Sequence, residues 1–242
     1  GEYRSPLYTT WNGDMSTPLS YIRGLEQFMW DMIDRPEWLH RLLSSRRDSI
    51  LRTHTQAENA GDWRLCNHQN QAMPYADDLD DPAPISKSVD RKELWYFCAS
   101  QETTSVGPAM FDEFMVQYQL PIVSEFGAVA YGCCEDLTNK IDVLRQIPNL
   151  RRIAVAPAAD VKECARQIED DYVLSLRPSP AEMVSCGFDP DHVRRSLSKD
   201  LEACEGCYVD ITLKDVETVE HDPDRVRRWV KIAREVIEQV WN

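Results

Sequence analysis

Residues 127–160 read GAVAYGCCEDLTNKIDVLRQIPNLRRIAVAPAAD. A short apolar run, Ala128-Val129-Ala130-Tyr131, predicts a strand, and the polar turn Gly132-Cys133-Cys134-Glu135 follows it. A helix-length segment from Asp136 to Gln146 comes next, then a second apolar run, Arg152-Ile153-Ala154-Val155-Ala156, with its own polar tail Pro157-Ala158-Ala159-Asp160. Short strands separated by helix-length segments pair in parallel through right-handed crossovers. This unit sets the fold class as α/β.

The same alternation extends in both directions. Downstream, Val161–Ile168 predicts a helix, Tyr172–Leu176 a strand, Pro180–Val184 and Pro190–Glu205 helices, Tyr208–Leu213 a last strand, and Asp224–Trp241 a closing amphipathic helix. Upstream, Ala109–Phe126 predicts a helix and Leu94–Ala99 a strand. The segment 62–90 is polar, with Pro74, Pro82, Pro84 and an acidic run at 77–81, and reads as a long loop of the kind that is disordered or serves as a lid. Before it, Leu7–Trp11 predicts a strand and Tyr21–Ile33 a helix, with Ile22, Leu25, Phe28, Met29 and Met32 on one face. Asp34-Arg35-Pro36 breaks that helix, and Pro36 opens another through about His54.

Two architectures use parallel strands this way, the closed barrel and the open doubly wound sheet. No strand is followed by G-x-G-x-x-G or G-x-x-x-x-G-K, so the nucleotide-binding sheet loses its usual signature. The expectation is a single domain over 1–242 of the (β/α)8 barrel type. Six strand–helix units are counted where a closed barrel needs eight. Missing N-terminal units, a partner chain or an unrecognised strand account for the difference.

Composition narrows the partners. The 242 residues are 43% hydrophobic, enough for a sizeable core, and carry a formal charge of −14. Such an acidic surface repels phosphate backbones, so nucleic acid and anionic membrane are poor partners. No apolar run is long enough for a bilayer and no leader pattern opens the chain. The eight cysteines therefore read as reduced thiols in a cytoplasmic protein.

In parallel α/β proteins the chemistry lies at the carboxyl ends of the strands. Here each strand ends in a polar tail. These are Asn12-Gly13-Asp14, Ser100-Gln101-Glu102-Thr103, Cys133-Cys134-Glu135-Asp136, Pro157–Asp160, Arg177–Pro180, and Lys214-Asp215-Val216-Glu217. Asp136 and Asp160 equally suit helix caps. Adjacent cysteines on a strand face opposite ways, but at a strand-to-helix turn both approach one point, where a helix dipole favours thiolate and zinc can bind. Two small residues at a tight turn are the plainer alternative. Cys204-Glu205-Gly206-Cys207 has zinc-like spacing without a second pair and falls at the far end of the strands. His40, His54, His192 and His221 sit on helices or helix starts and suit packing or solvent, while His68 lies in the long loop beside Cys66.

Several segments carry a family resemblance. Gly24–Asp31 with Arg35-Pro36-Glu37-Trp38 resembles the helix pair after the third strand of uroporphyrinogen decarboxylase-like barrels, and Pro108–Pro121 resembles their E-x-F-x-E-F-x-x-P helix. Tyr131–Glu135, Pro148–Ile153, Lys214-Asp215 and Asp222-Pro223 are similar to a branch of the same superfamily. The resemblance implies a chain that begins near the third barrel strand, with a small-molecule or tetrapyrrole substrate. Two activities follow from it. Uroporphyrinogen decarboxylases work without metal and hold the porphyrinogen with N-terminal arginines, a motif this chain lacks. Corrinoid-dependent methyltransferases hold zinc with a His-x-Cys pair and a late Cys, and receive methyl from a corrinoid protein. Gly132-Cys133-Cys134 occupies the place of the pair, and Asp215 and Glu217 stand where the late Cys belongs. On this reading Cys133, Cys134 and Glu217 are metal ligands. Glu102, Glu135, Lys214 and Asp215 do the chemistry, and Asn12, Gln101, Asp160 and Arg177 bind substrate. A barrel that only binds a tetrapyrrole or a partner protein is the third possibility, with a homodimer or the missing N-terminal part completing it.

Overall fold

A computed structural model describes residues 14–63, 79, 87–184 and 187–241. The expected strand at Leu7–Trp11, Asn12, His68 and most of the long loop lie outside these residues.

Three helices come first: α1 (Ser16–Arg23), α2 (Leu25–Asp34) and α3 (Pro36–Asn59). The single helix expected over Tyr21–Ile33 is thus two. Gly24, at φ +84°, leaves the helical region and ends α1 by donating its N–H to the Ser20 carbonyl. Apolar periodicity runs across this break, which is why the sequence hid it. Phe28 and Met32 are buried as expected, whereas Ile22 and Leu25, on either side of Gly24, are 77% and 48% exposed. Pro36 opens α3, its missing N–H costing nothing in the first turn.

Five strands follow, each succeeded by helical segments. They are β1 (Trp95–Cys98), β2 (Ala128–Tyr131), β3 (Leu150–Val155), β4 (Val173–Leu176) and β5 (Tyr208–Ile211). Between β1 and β2 run α4 (Pro108–Phe111), a π-turn at Asp112–Val116, and α5 (Gln117–Val123). The later connections are α6 (Ile141–Leu144), α7 (Val161–Ile168) and α8 (Pro190–Ala203), and α9 (Asp224–Trp241) closes the chain. The helix expected over Asp136–Gln146 is only α6. Asp136 instead accepts the Thr138 N–H and hydroxyl, a local turn that competes with helix.

All four strand pairings are parallel, and the order is β1-β2-β3-β4-β5. Sequential order with right-handed crossovers places the connecting helices on one face. Alternation divides the strand residues accordingly. Tyr96, Cys98, Val129, Tyr131, Ile153, Val155, Leu174 and Leu176 join the main helix-packed core. Trp95, Ala128 and Ala130 face the other way and pack with Leu79 from the long loop. Arg152, Ser175 and Asp210 share that second face by register. Among the described residues no helix is long and apolar enough to cross a membrane.

Candidate active site at the strand ends

The Gly132–Glu135 turn is held by Glu135, which is 1% exposed. One carboxylate oxygen accepts the Ser100 N–H at 2.8 Å and the other the Cys133 N–H at 2.7 Å. Burial pushes its pKa up, and these backbone donors oppose that. Glu135 thereby ties the end of β2 to the end of β1. Gly132 sits at φ +100°, and a Cβ there meets Leu137 Cδ1 at 2.8 Å and Ala154 Cβ at 3.0 Å. Gly132→Ala combines a left-handed backbone with a packed wall, so it should destabilise the fold by about 1–3 kcal/mol, measured by urea denaturation. A midpoint equal to wild type refutes this constraint.

The turn presents both thiols to one point. Cys133 Sγ lies 3.6 Å from Cys134 Sγ. Lys214, just past β5, brings Nζ to 3.0 Å from Cys134 Sγ, and its ammonium also contacts the Asp215 carboxylate. Asp215 Oδ2 is 3.6 Å from the same sulfur. A hydrogen bond from Cys133 is the largest cause of a Cys134 pKa lowered to about 5; burial opposes it and the Lys214 ammonium adds to it. Cys133 is correspondingly pushed far up. Cys134 is exposed and Cys133 half-buried, so the charged sulfur is the accessible one.

Beside the thiols, the second face of the sheet carries a polar network. Arg152 donates Nε to Asp210 Oδ2 at 2.5 Å and Nη2 to Oδ1 at 2.6 Å, a bidentate pair across two strands. The Ser175 and Thr212 hydroxyls also reach Asp210 Oδ1, at 2.8 and 3.3 Å. Arg177, 2% exposed, donates Nε to Ser175 Oγ at 3.2 Å. Burial, then the neighbouring Arg152 charge, lowers its pKa to about 10, while Cys133 and Cys134 favour its charged form. Sequence reading missed Arg152, Ser175 and Asp210. The signal was present: each is the polar residue of an apolar run, on the face opposite the core.

The other expected residues divide. Glu102 accepts the Ser16 hydroxyl at 2.6 Å and the Thr17 hydroxyl at 2.7 Å, so it is bound to the start of α1. Asp14 accepts from the same two hydroxyls, and burial raises its pKa. Gln101 lies in the short turn after β1. Asp160 caps α7 by accepting the Glu163 N–H at 3.0 Å. It lines, with Arg177, a groove of about 780 Å³ between the segments after β3 and β4. Glu217 is exposed. Lys140, unremarked in the sequence, is 3% exposed and donates to the Thr103 and Thr104 carbonyls at 2.8 and 2.9 Å, fastening the β1 and β2 tails together.

Zinc needs three protein ligands and an open position, or four ligands. Among the described residues no group of three or more His, Cys, Asp or Glu side chains is arranged to hold a metal ion. The Lys214 ammonium stands against the sulfur that would be the leading ligand. Among the described residues the group nearest the Cys134 sulfur is the Lys214 ammonium, a neighbour that favours the thiolate form. No family model matches the chain, and neither the curated proteins nor the solved structures provide a significant match.

Proposed function

We propose that this chain is the C-terminal part of a (β/α)8 barrel of the uroporphyrinogen decarboxylase and corrinoid methyltransferase type, acting in the cytoplasm as a thiolate-dependent group transferase. The sequential parallel sheet, with helices on one face and a polar network on the other, supports the barrel reading. The observation that carries the activity is the 3.0 Å approach of Lys214 Nζ to Cys134 Sγ, which brings the segments after β2 and β5 together around one accessible nucleophile. Lys214 holds the thiolate, Asp215 fixes Lys214, and Glu135 positions the turn.

The group that the family resemblance supplies is methyl, delivered by a corrinoid carrier protein. A methylated corrinoid would supply an electrophilic methyl, the Cys134 thiolate would accept it while the methyl–carrier electron pair stayed on the carrier, and Lys214 would hold the sulfur in place. Incubation with methylcobalamin should add one methyl to Cys134, read by peptide mass spectrometry. Cys133→Ser should keep the product and Cys134→Ser lose it. An unmodified Cys134 after prolonged incubation counts against methyl transfer.

The Asp210 carboxylate on the interior face favours a second reading, a carboxy-lyase acting on a tetrapyrrole. Its readout is coproporphyrinogen formed from uroporphyrinogen without added metal.

A further inference from the structure

Cys133 and Cys134 are neighbours in space as well as in sequence. Their sulfurs lie 3.6 Å apart. An S–S bond of about 2.0 Å asks them to close by roughly 1.6 Å, a side-chain movement. The two environments differ. Cys134 is exposed and has the Lys214 ammonium at 3.0 Å, while Cys133 is half-buried and its N–H is held by Glu135 at 2.7 Å. An oxidant arriving from solvent therefore meets Cys134 Sγ first, with Cys133 Sγ within reach. The ammonium favours the thiolate, the form that oxidants attack, and offers an N–H to a departing oxygen. The other described thiols are placed differently. Cys98, Cys164 and Cys204 are buried, and Cys207 directs its thiol to the Ala165 carbonyl at 3.6 Å.

We infer that Cys133 and Cys134 form a hydroperoxide-reactive pair, in which Cys134 takes oxygen and Cys133 resolves it as a disulfide between neighbours. The Cys134 thiolate attacks the hydroxyl oxygen of the hydroperoxide. An S–O bond forms, the O–O bond breaks, and the electron pair leaves with the other oxygen, which takes a proton from solvent. Cys134 is then a sulfenic acid. The Cys133 sulfur attacks it, an S–S bond forms, and the S–O electron pair leaves with the hydroxyl, which takes the Cys133 proton as water. Two thiols are oxidised, and the hydroperoxide is reduced to an alcohol and water. Consecutive Cα atoms are about 3.8 Å apart, below the range of about 4.4–6.8 Å in ordinary disulfides, so this bridge is strained and readily reduced. Its formation removes the nucleophile and ends the charge contact with Lys214, so oxidation silences the site and a dithiol restores it. The inference rests on Cys134 being the accessible nucleophile and not on the group it transfers.

Hydrogen peroxide in slight excess at pH 7 tests it. The wild-type chain should lose about 2 Da, with Cys133 and Cys134 joined in one unreduced peptide and no added oxygen, and dithiothreitol should restore both thiols. Cys133→Ser should stop at the sulfenic acid, trapped by dimedone at Cys134, and advance to the sulfinic acid with more peroxide. Cys134→Ser should slow thiol loss at least about tenfold, because the remaining sulfur is half-buried and far from its ionised form. The wild-type mass decides the disulfide by itself, whatever the stability of the variants. Thiols left intact in the wild type, sulfinic acid at Cys134 without a bridge, or a disulfide joining two chains each overturn the pair. Prompt iodoacetamide labelling of Cys134 in such a chain confines the failure to the pair. Absence of that labelling removes the nucleophile, and with it the transferase reading, so the two failures are distinguishable.

Discussion

Iodoacetamide should alkylate Cys134 at pH 6 roughly tenfold faster than an ordinary exposed thiol. Two opposed effects set this figure. A pKa lowered to about 5 leaves Cys134 almost fully ionised at pH 6. A free cysteine near 8.5 is ionised there to only about 0.3%, so the thiolate fraction favours Cys134 by roughly 300-fold. Lower basicity reduces intrinsic nucleophilicity, by a factor of about 40 over that span. The surplus is the expected rate ratio.

The pH profile is the sharper measurement. Cys134 should react at a constant rate from neutral pH down to about 6 and lose reactivity as pH falls through about 5, where the sulfur takes a proton. Its folded pKa lies below the unfolded value, so the stabilisation from the Cys133 hydrogen bond and the Lys214 ammonium is full above the unfolded thiol pKa, falls progressively as pH drops below it, and is gone below about 5. Lys214→Met removes the ammonium and should move the inflection upward, with little change in the high-pH rate. The buried thiols Cys98, Cys164 and Cys204 are all pushed up by desolvation and should stay unmodified on this timescale. A Cys134 rate that climbs through pH 8–9 like a free thiol rules the proposed charge state out.

Why the sequence showed some of this and not the rest follows from the range of each interaction. Strands were legible because β-branched and aromatic runs repeat between helix-length segments, and helix starts because Asp160, Asp189-Pro190 and Pro36 act within one turn. The thiol turn was legible because two cysteines are adjacent. Which acid or base would stand beside them was partly legible, since Lys214 ends the last strand. That Lys214 itself meets Cys134, 80 residues away, depends on five strands curving into register. Glu102 shows the opposite case. It ends β1 at the right height, yet the hydroxyls of Ser16 and Thr17 bind it. No local pattern distinguishes a strand-end carboxylate that faces the thiols from one that caps another element. Helix breaks were illegible for a related reason: the turns at Gly24 and Asp136 arise from backbone and side-chain hydrogen bonds that leave apolar periodicity intact.

The largest loss of stability should come from Asp210→Ala. Its carboxylate receives two N–H donors of Arg152 and the hydroxyls of Ser175 and Thr212. The Arg152 side chain is 3% exposed and that of Asp210 26%. Removing one member of a buried pair leaves a guanidinium that has lost this counter-charge but stays desolvated, which typically costs about 3–5 kcal/mol. Partial exposure of Asp210 places the expected value near the lower end, about 3 kcal/mol, or a fall in Tm of roughly 6–12 °C for a chain of this size. Asp210→Asn keeps the acceptor oxygen and loses the charge, so it should fall between. The pair itself need not add net stability, because its desolvation offsets its attraction. The double variant Arg152→Met/Asp210→Leu should therefore recover most of the loss while removing the polar network beside Arg177. Such a protein separates folding from chemistry: it should melt near wild type, keep the Cys134 inflection, and lose the neighbour whose charge depresses the Arg177 pKa. Equal melting of Asp210→Ala and wild type means that the Arg152–Asp210 pair does not organise this face of the sheet.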